Sequence, residues 1–246
     1  MTYPIYSQEV PYVTTEQMIE VDRAMMEDFK IELIQMMENA GRNLAHLARI
    51  RFFEGDPRGK TAIILAGVGG NGGGALVCAR RLHNWGTNIQ VYITKPEAEL
   101  APIPAHQLDI LHRMKVPVSQ AEAVQQAYPS DLIVDGVIGY SLKGNPTGTA
   151  ADLIRWASAQ SVPILALDAP SGVDTTSGMV FEPAIQATAT MTLALPKKGL
   201  KEKNVSKYVG ELYLADISVP PSLYNSPTLD LKIKYIFANN DIVRLR

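Results

Sequence analysis

Apolar positions recur along this chain with two different periods, and the change from one to the other separates its elements. Near the start they recur at helical spacing. Met18, Val21, Met25 and Met26 form one stripe, and Met37, Ala40, Leu44, Leu47 and Ala48 form a second. Such spacing puts side chains on one face of a helix. Thr14 and Gln17 stand at capping-box spacing, and Val13 and Met18 at hydrophobic-staple spacing, so the first helix is expected to start near Thr15. A second helix is expected over about Ile34 to Phe52, and residues 1–13 read as an extended arm. The methionine-rich stripes are read first as core packing and secondly as a dimer interface.

From residue 61 the pattern changes. TAIILAG is a continuous apolar run, as expected of a strand buried on both faces. GVGGNGGG follows it, and then a helical stretch from about Gly74 to Trp85. The segments NIQVYIT, DLIVDGVIG, PILALDAP, ATATMTLALP and ELYLADISVP read as further strands, with helices near Pro104 to Met114 and Thr149 to Gln160. Strands alternating with helices of this length predict a parallel sheet with right-handed crossovers, an α/β fold of Rossmann type. The whole of 1–246 reads as one domain, with a tail over 221–246 that either adds an edge strand or forms a linker.

Composition narrows the function classes. The chain has 246 residues, 46% of them apolar and 20% charged, which is enough for a full core. A net charge of -2 gives no general attraction for nucleic acid. Cys78 is the only cysteine, so no intrachain disulfide can form. The first residues lack the pattern of a signal peptide, and no apolar run reaches the roughly 18 residues that span a bilayer. A cytoplasmic protein without a membrane or nucleic-acid partner is therefore expected.

Ligands of open parallel sheets bind beyond the carboxyl ends of the strands. Three unusual segments fall there: GVGGNGGG (67–74), DGVIGYSLKGNPTG (135–148) and DAPSGVD (168–174). The first contains Gly67-x-Gly69-x-x-Gly72, whose backbone N–H groups suit a phosphate at a helix N-terminus. The next strand ends Ile93-Thr94-Lys95-Pro96 without the carboxylate of a dinucleotide dehydrogenase. Asp168 at a strand end is a candidate acid or base, or else caps its loop. Ser171 lacks the nucleophile-elbow context, and none of His46, His83, His106 and His112 lies in the three loops, so a Ser-His-Asp triad is not expected. No histidine–cysteine cluster has zinc spacing. Asn71, Asp135 and Ser171 offer oxygens that could meet at one hard cation. Lys197 and Lys198 could reach a phosphate but are expected to be solvated.

In order along the chain, MMENAGRNLA (36–45), GVGGNGGGALVCARRL (67–82), DLIVDGVIG (131–139), PILALDAPSGVD (163–174), ATATMTLALPKKGL (187–200) and VGELYLADISVP (209–220) resemble the YjeF N-terminal domain family. Its enzymatic members are NAD(P)H-hydrate epimerases. The resemblance implies a Rossmann-like three-layer α/β/α sandwich with a mostly parallel sheet, often homodimeric. It implies an isomerase that interconverts the R and S forms of hydrated NADH or NADPH, a damage product. It implies one potassium ion per subunit on Asn71, Asp135 and Ser171, and Asp168 in the substrate site. Substrate contacts are implied for Gly70, Asn71, Gly72, Gly73 and Gly74. A second implied contact loop comprises Gly139, Tyr140, Ser141 and Leu142, continuing through Lys143, Gly144 and Asn145.

Five positions depart from the family's pattern. Its glycine loop usually reads G-N-N-G-G-D-G, and here Gly70 replaces an asparagine, Gly74 the aspartate and Ala75 the last glycine. The second loop usually begins G-T-G, and here it reads Gly139-Tyr140-Ser141. These departures leave a second expectation open, a catalytically degraded binding module of the same fold. Bacterial members are often fused to a dehydratase domain, and the tail FANNDIVRLR resembles the start of the linker to it.

Overall fold

The computed structural model describes residues 3–246. Two helices open the chain, α1 (Thr15–Glu27) and α2 (Leu33–Arg51). The α/β core follows: β1 (Thr61–Ala66), α3 (Gly70–Asn84), β2 (Asn88–Ile93), α4 (Pro102–Arg113), β3 (Val118–Gln120), β4 (Leu132–Gly136), α5 (Gly148–Ser158) and β5 (Ile164–Leu167). The chain then runs through β6 (Ala189–Leu193), α6 (Ser206–Val209), β7 (Glu211–Ala215), α7 (Pro221–Tyr224) and β8 (Ile242–Arg244). The eight strands make one sheet in the order β3-β2-β1-β4-β5-β6-β7-β8. All neighbours pair in parallel except β7 and β8, which are antiparallel. β1 to β3 build toward one edge and β4 to β7 toward the other. The switch point thus lies between β1 and β4, where such sheets open a crevice.

The pleat divides the core. Ala62, Ile64 and Ala66 of β1 pack with Leu44, Leu76 and Leu108 from α2, α3 and α4, while Ile63 and Leu65 pack with Leu153 and Ile154 of α5. Alternate residues of a strand point to opposite faces, so one buried strand serves both layers.

The start of α1 is as its sequence predicts. Thr14 Oγ1 accepts from Gln17 N and Gln17 Oε1 accepts from Thr14 N, while Val13 and Met18 are buried in one cluster. Such a cap contributes about 1 kcal/mol.

Two elements differ from expectation. Helix α3 begins at Gly70, four residues before the expected Gly74, so the glycine run is its first turn. None of these glycines has a positive φ; they serve close approach. A Cβ at Gly72 would stand 1.9 Å from Gly67 O, and one at Gly41 on α2 would stand 2.4 Å from Val77 Cβ. The short edge strand β3 was not expected at all, since Val118-Ser119-Gln120 is only three residues without an apolar run. The tail forms β8 on the sheet edge, which resolves the choice between strand and linker for 242–244.

Candidate active site

A cavity of about 620 Å³ opens at the β1/β4 switch point. Its walls include Gly69, Gly70 and Asn71 at the start of α3, Gly139, Tyr140 and Ser141 after β4, and Asp168 after β5. Met18, Met26, Met36 and Met37 from the first two helices form much of the apolar side. The methionine stripes are therefore core and cavity wall. Ile19, Phe29 and Val68 are exposed.

Asp168 is 2% exposed and has a left-handed backbone with φ of 66°. That conformation costs of order 1 kcal/mol for a residue with a Cβ. Its N–H continues the sheet by donating to Met191 O at 2.7 Å, and the turn then sends the carboxylate over the end of β6. Oδ1 accepts from Lys197 Nζ, from Thr192 Oγ1 at 3.4 Å and from Leu193 N at 3.3 Å. Oδ2 has no protein partner among the described residues. Lys197 has no solvent exposure, and its ammonium also donates to Leu193 O at 2.9 Å and Thr192 Oγ1 at 3.3 Å. The expectation of two solvated lysines holds for Lys198, which is exposed, and fails for Lys197. A buried carboxylate and a buried ammonium need each other, because either alone would be costly.

Asp135 is fully buried at the end of β4. It accepts from Ser171 N at 2.8 Å, Ser171 Oγ at 2.6 Å and Val137 N at 3.2 Å. Burial pushes its pKa from 3.8 up to about 6 against these three bonds. No cationic side chain pairs with it among the described residues. Ser171 Oγ in turn accepts from Ile138 N at 2.8 Å. Asn71 joins through the same turn: a Cβ on Gly139 would stand 2.7 Å from its Oδ1, and its Nδ2 donates to Leu167 O at 2.8 Å. The loops after β1, β4 and β5 thus meet through Asn71, Asp135 and Ser171.

The structure sorts the remaining expected contacts. Gly70 faces open space, with nothing within 4 Å of a built Cβ. Gly72, Gly73 and Gly74 are buried and absent from the cavity wall; they pack on Gly67, Met37 and Leu167. Ser141, Leu142 and Lys143 line a neighbouring cavity of about 560 Å³ that shares Ile19, Tyr140 and Ser141 with the first. Gly144 lies outside both walls, and Asn145 Oδ1 accepts from Glu182 N at 3.2 Å, a loop-holding bond. None of the four histidines lines either cavity.

Sequence reasoning missed one member. Tyr140 donates its hydroxyl to Asp22 Oδ2, and both line the main cavity. Burial, the largest effect, raises the carboxyl pKa of Asp22. The signal was present: Asp22 interrupts the apolar stripe of α1 one residue after Val21 and four after Met18.

The sequence profile of the family described as YjeF-related protein N-terminus matches residues 33–199. A protein of Dehalogenimonas lykanthroporepellens named NAD(P)H-hydrate epimerase is 39% identical over 221 residues, covering 88% of this chain and 86% of that protein. One of the same name from Rhodopirellula baltica is 32% identical, with 87% of each chain covered. A bifunctional NAD(P)H-hydrate repair enzyme of Moorella thermoacetica is 33% identical, and there the match spans 41% of the relative's length. The crystal structure of the yeast protein ynu0 superposes with a TM-score of 0.76 at 25% identity, covering 96% of this chain and all of that one.

Proposed function

This chain belongs to the YjeF-related N-terminal family, and on that premise we propose that it is an NAD(P)H-hydrate epimerase. It is an isomerase that interconverts the R and S forms of hydrated NADH or NADPH. The observation that carries the reading is Asp168, buried in the wall of the switch-point cavity with one oxygen tied to Lys197 and the other without a partner among the described residues. The substrate bears a hydroxyl on a ring carbon beside nitrogen. Its departure as water leaves a cation that water re-enters from either face. Asp168 is placed to give and take that proton. The unpaired N–H groups at the start of α3 favour the nucleotide's phosphates. The methionine wall offers an adaptable apolar surface to a ring.

Potassium fits the donor set. Asp135 brings one charge, and Ser171 and Asn71 bring neutral oxygens, so the cluster is made of hard ligands with a single uncompensated charge. Bound there, a cation offsets the buried carboxylate and locks the three loops together. Asn71, Asp135 and Ser171 are the residues that would hold it. Assembly as a homodimer, using the exposed Ile19 and Phe29 of the first helical segment, belongs to the same reading. So does a cytoplasmic setting; among the described residues no helix is long and apolar enough to cross a membrane. The test of the reading is turnover of purified hydrate epimers.

A further inference from the structure

We propose that Asp22, held by Tyr140, is a second proton-carrying carboxylate of this site and serves the ring face opposite the one served by Asp168. The inference rests on the epimerase reading above. An enzyme that epimerises by losing and regaining water must handle both faces of one carbon. On the first face the C–O bond breaks and its electron pair leaves with oxygen, which takes a proton from an acid to become water. The ring nitrogen's lone pair closes a C=N bond. On the second face a water oxygen pair forms the new C–O bond, the C=N pair returns to nitrogen, and the water gives its proton to a base. One turnover leaves the first carboxylate ionised and the second protonated. That is the state from which the opposite epimer is processed, and proton exchange of both carboxylates with solvent restores the starting state, so no reactant other than water is needed.

The cavity supplies two such groups from separate elements. Asp22 comes from α1 and Asp168 from the end of β5, and both line the same space. Each is tied at one oxygen only. Asp168 Oδ1 takes the bonds of Lys197, Thr192 and Leu193, and Asp22 Oδ2 takes that of Tyr140. Asp168 Oδ2 and Asp22 Oδ1 have no protein partner among the described residues.

The two carboxylates have partners of different charge. Asp168 is paired with the Lys197 ammonium. Asp22 has a phenol for a partner. Burial and the neighbouring Asp168 raise its pKa, against the pull of Tyr140 and Lys197. The other ionisable groups facing it do not neutralise it. Arg23 at the cavity rim is engaged by Glu20, Glu27 and Asp28, and Tyr224 on α7 is a buried phenol whose own pKa is raised. One carboxylate is thus held by a cation and the other by a neutral hydroxyl, and each presents its second oxygen for proton transfer.

The experiment follows each epimer separately in water labelled with heavy oxygen. One carboxylate is enough to expel and return water on its own face, so label enters that epimer without inversion. In the wild type both epimers interconvert and both take up label. Asp22→Asn keeps an acceptor for Tyr140, and should lower interconversion about a hundredfold or more. It should still let one epimer take up label, while Asp168→Asn should preserve uptake into the other. If Asp22→Asn is unstable, Tyr140→Phe reads the same pair: it should slow uptake into the epimer that Asp22 serves and spare the other. Wild-type interconversion in Asp22→Asn, or equal loss of uptake by both epimers in each variant, would overturn the assignment. A wild type that turns over neither epimer would overturn the epimerase reading and this inference with it.

Discussion

Lys197 Nζ and Asp168 Oδ1 form an ion pair in a space where the lysine has no solvent contact. Removing one partner of such a pair leaves the other buried and uncompensated. Lys197→Met is therefore expected to lower stability by about 3–5 kcal/mol in urea unfolding. It should lower turnover too, because the Asp168 carboxylate loses the group that holds its Oδ1 in place. A variant as stable as the parent would contradict the ion pair.

Gly74 faces Leu167 across the contact between α3 and β5, and a Cβ there would stand 2.7 Å from Leu167 Cδ2. Restoring the family's aspartate with Gly74→Asp should thus destabilise the protein by about 2 kcal/mol or more, through overpacking and a buried carboxylate. Leu167→Ala in the same chain should recover part of that loss. Gly70→Asn restores the family's asparagine at the open position. It should leave the melting temperature nearly unchanged and lower KM, since its amide enters the cavity. Equal melting temperatures for Gly74→Asp and Gly70→Asn would count against this packing.

Asp135 links stability to pH and to potassium. Its folded pKa of about 6 lies above the ordinary 3.8, so between those values the folded chain binds more protons than the unfolded one. Stability from this group then falls as pH rises through that window and is flat above it. A cation beside the carboxylate favours the ionised form and offsets the fall. Exchanging choline for potassium chloride at fixed ionic strength should raise the melting temperature at about pH 8 and leave it unchanged at about pH 4. Asp135→Asn should remove the increment. Identical melting curves in both salts at the higher pH would contradict a cation on Asp135.

The strands and the three ligand loops were legible because buried parallel strands read as unbroken apolar runs and glycine-rich turns interrupt them. The start of α3 was not, because glycine is a poor helix former, and Gly72, Gly73 and Gly74 pack closely on Gly67 after β1, Met37 on α2 and Leu167 on β5. Lys197 reads as a surface lysine until β6 and the Asp168 turn close over it. Asp22 and Tyr140 are 118 positions apart, and only the sheet order brings the loop after β4 beneath α1. Local pattern reports local structure; pairs of buried polar groups are set by topology.

The most direct measurement is turnover on separately purified R and S hydrates by the wild type and by Asp168→Asn, with melting temperatures recorded beside the rates. A wild type that interconverts the epimers, and an equally stable Asp168→Asn slower by about a hundredfold or more, is the predicted result. A folded wild type at the uncatalysed rate, or an Asp168→Asn variant at the wild-type rate, would contradict the account.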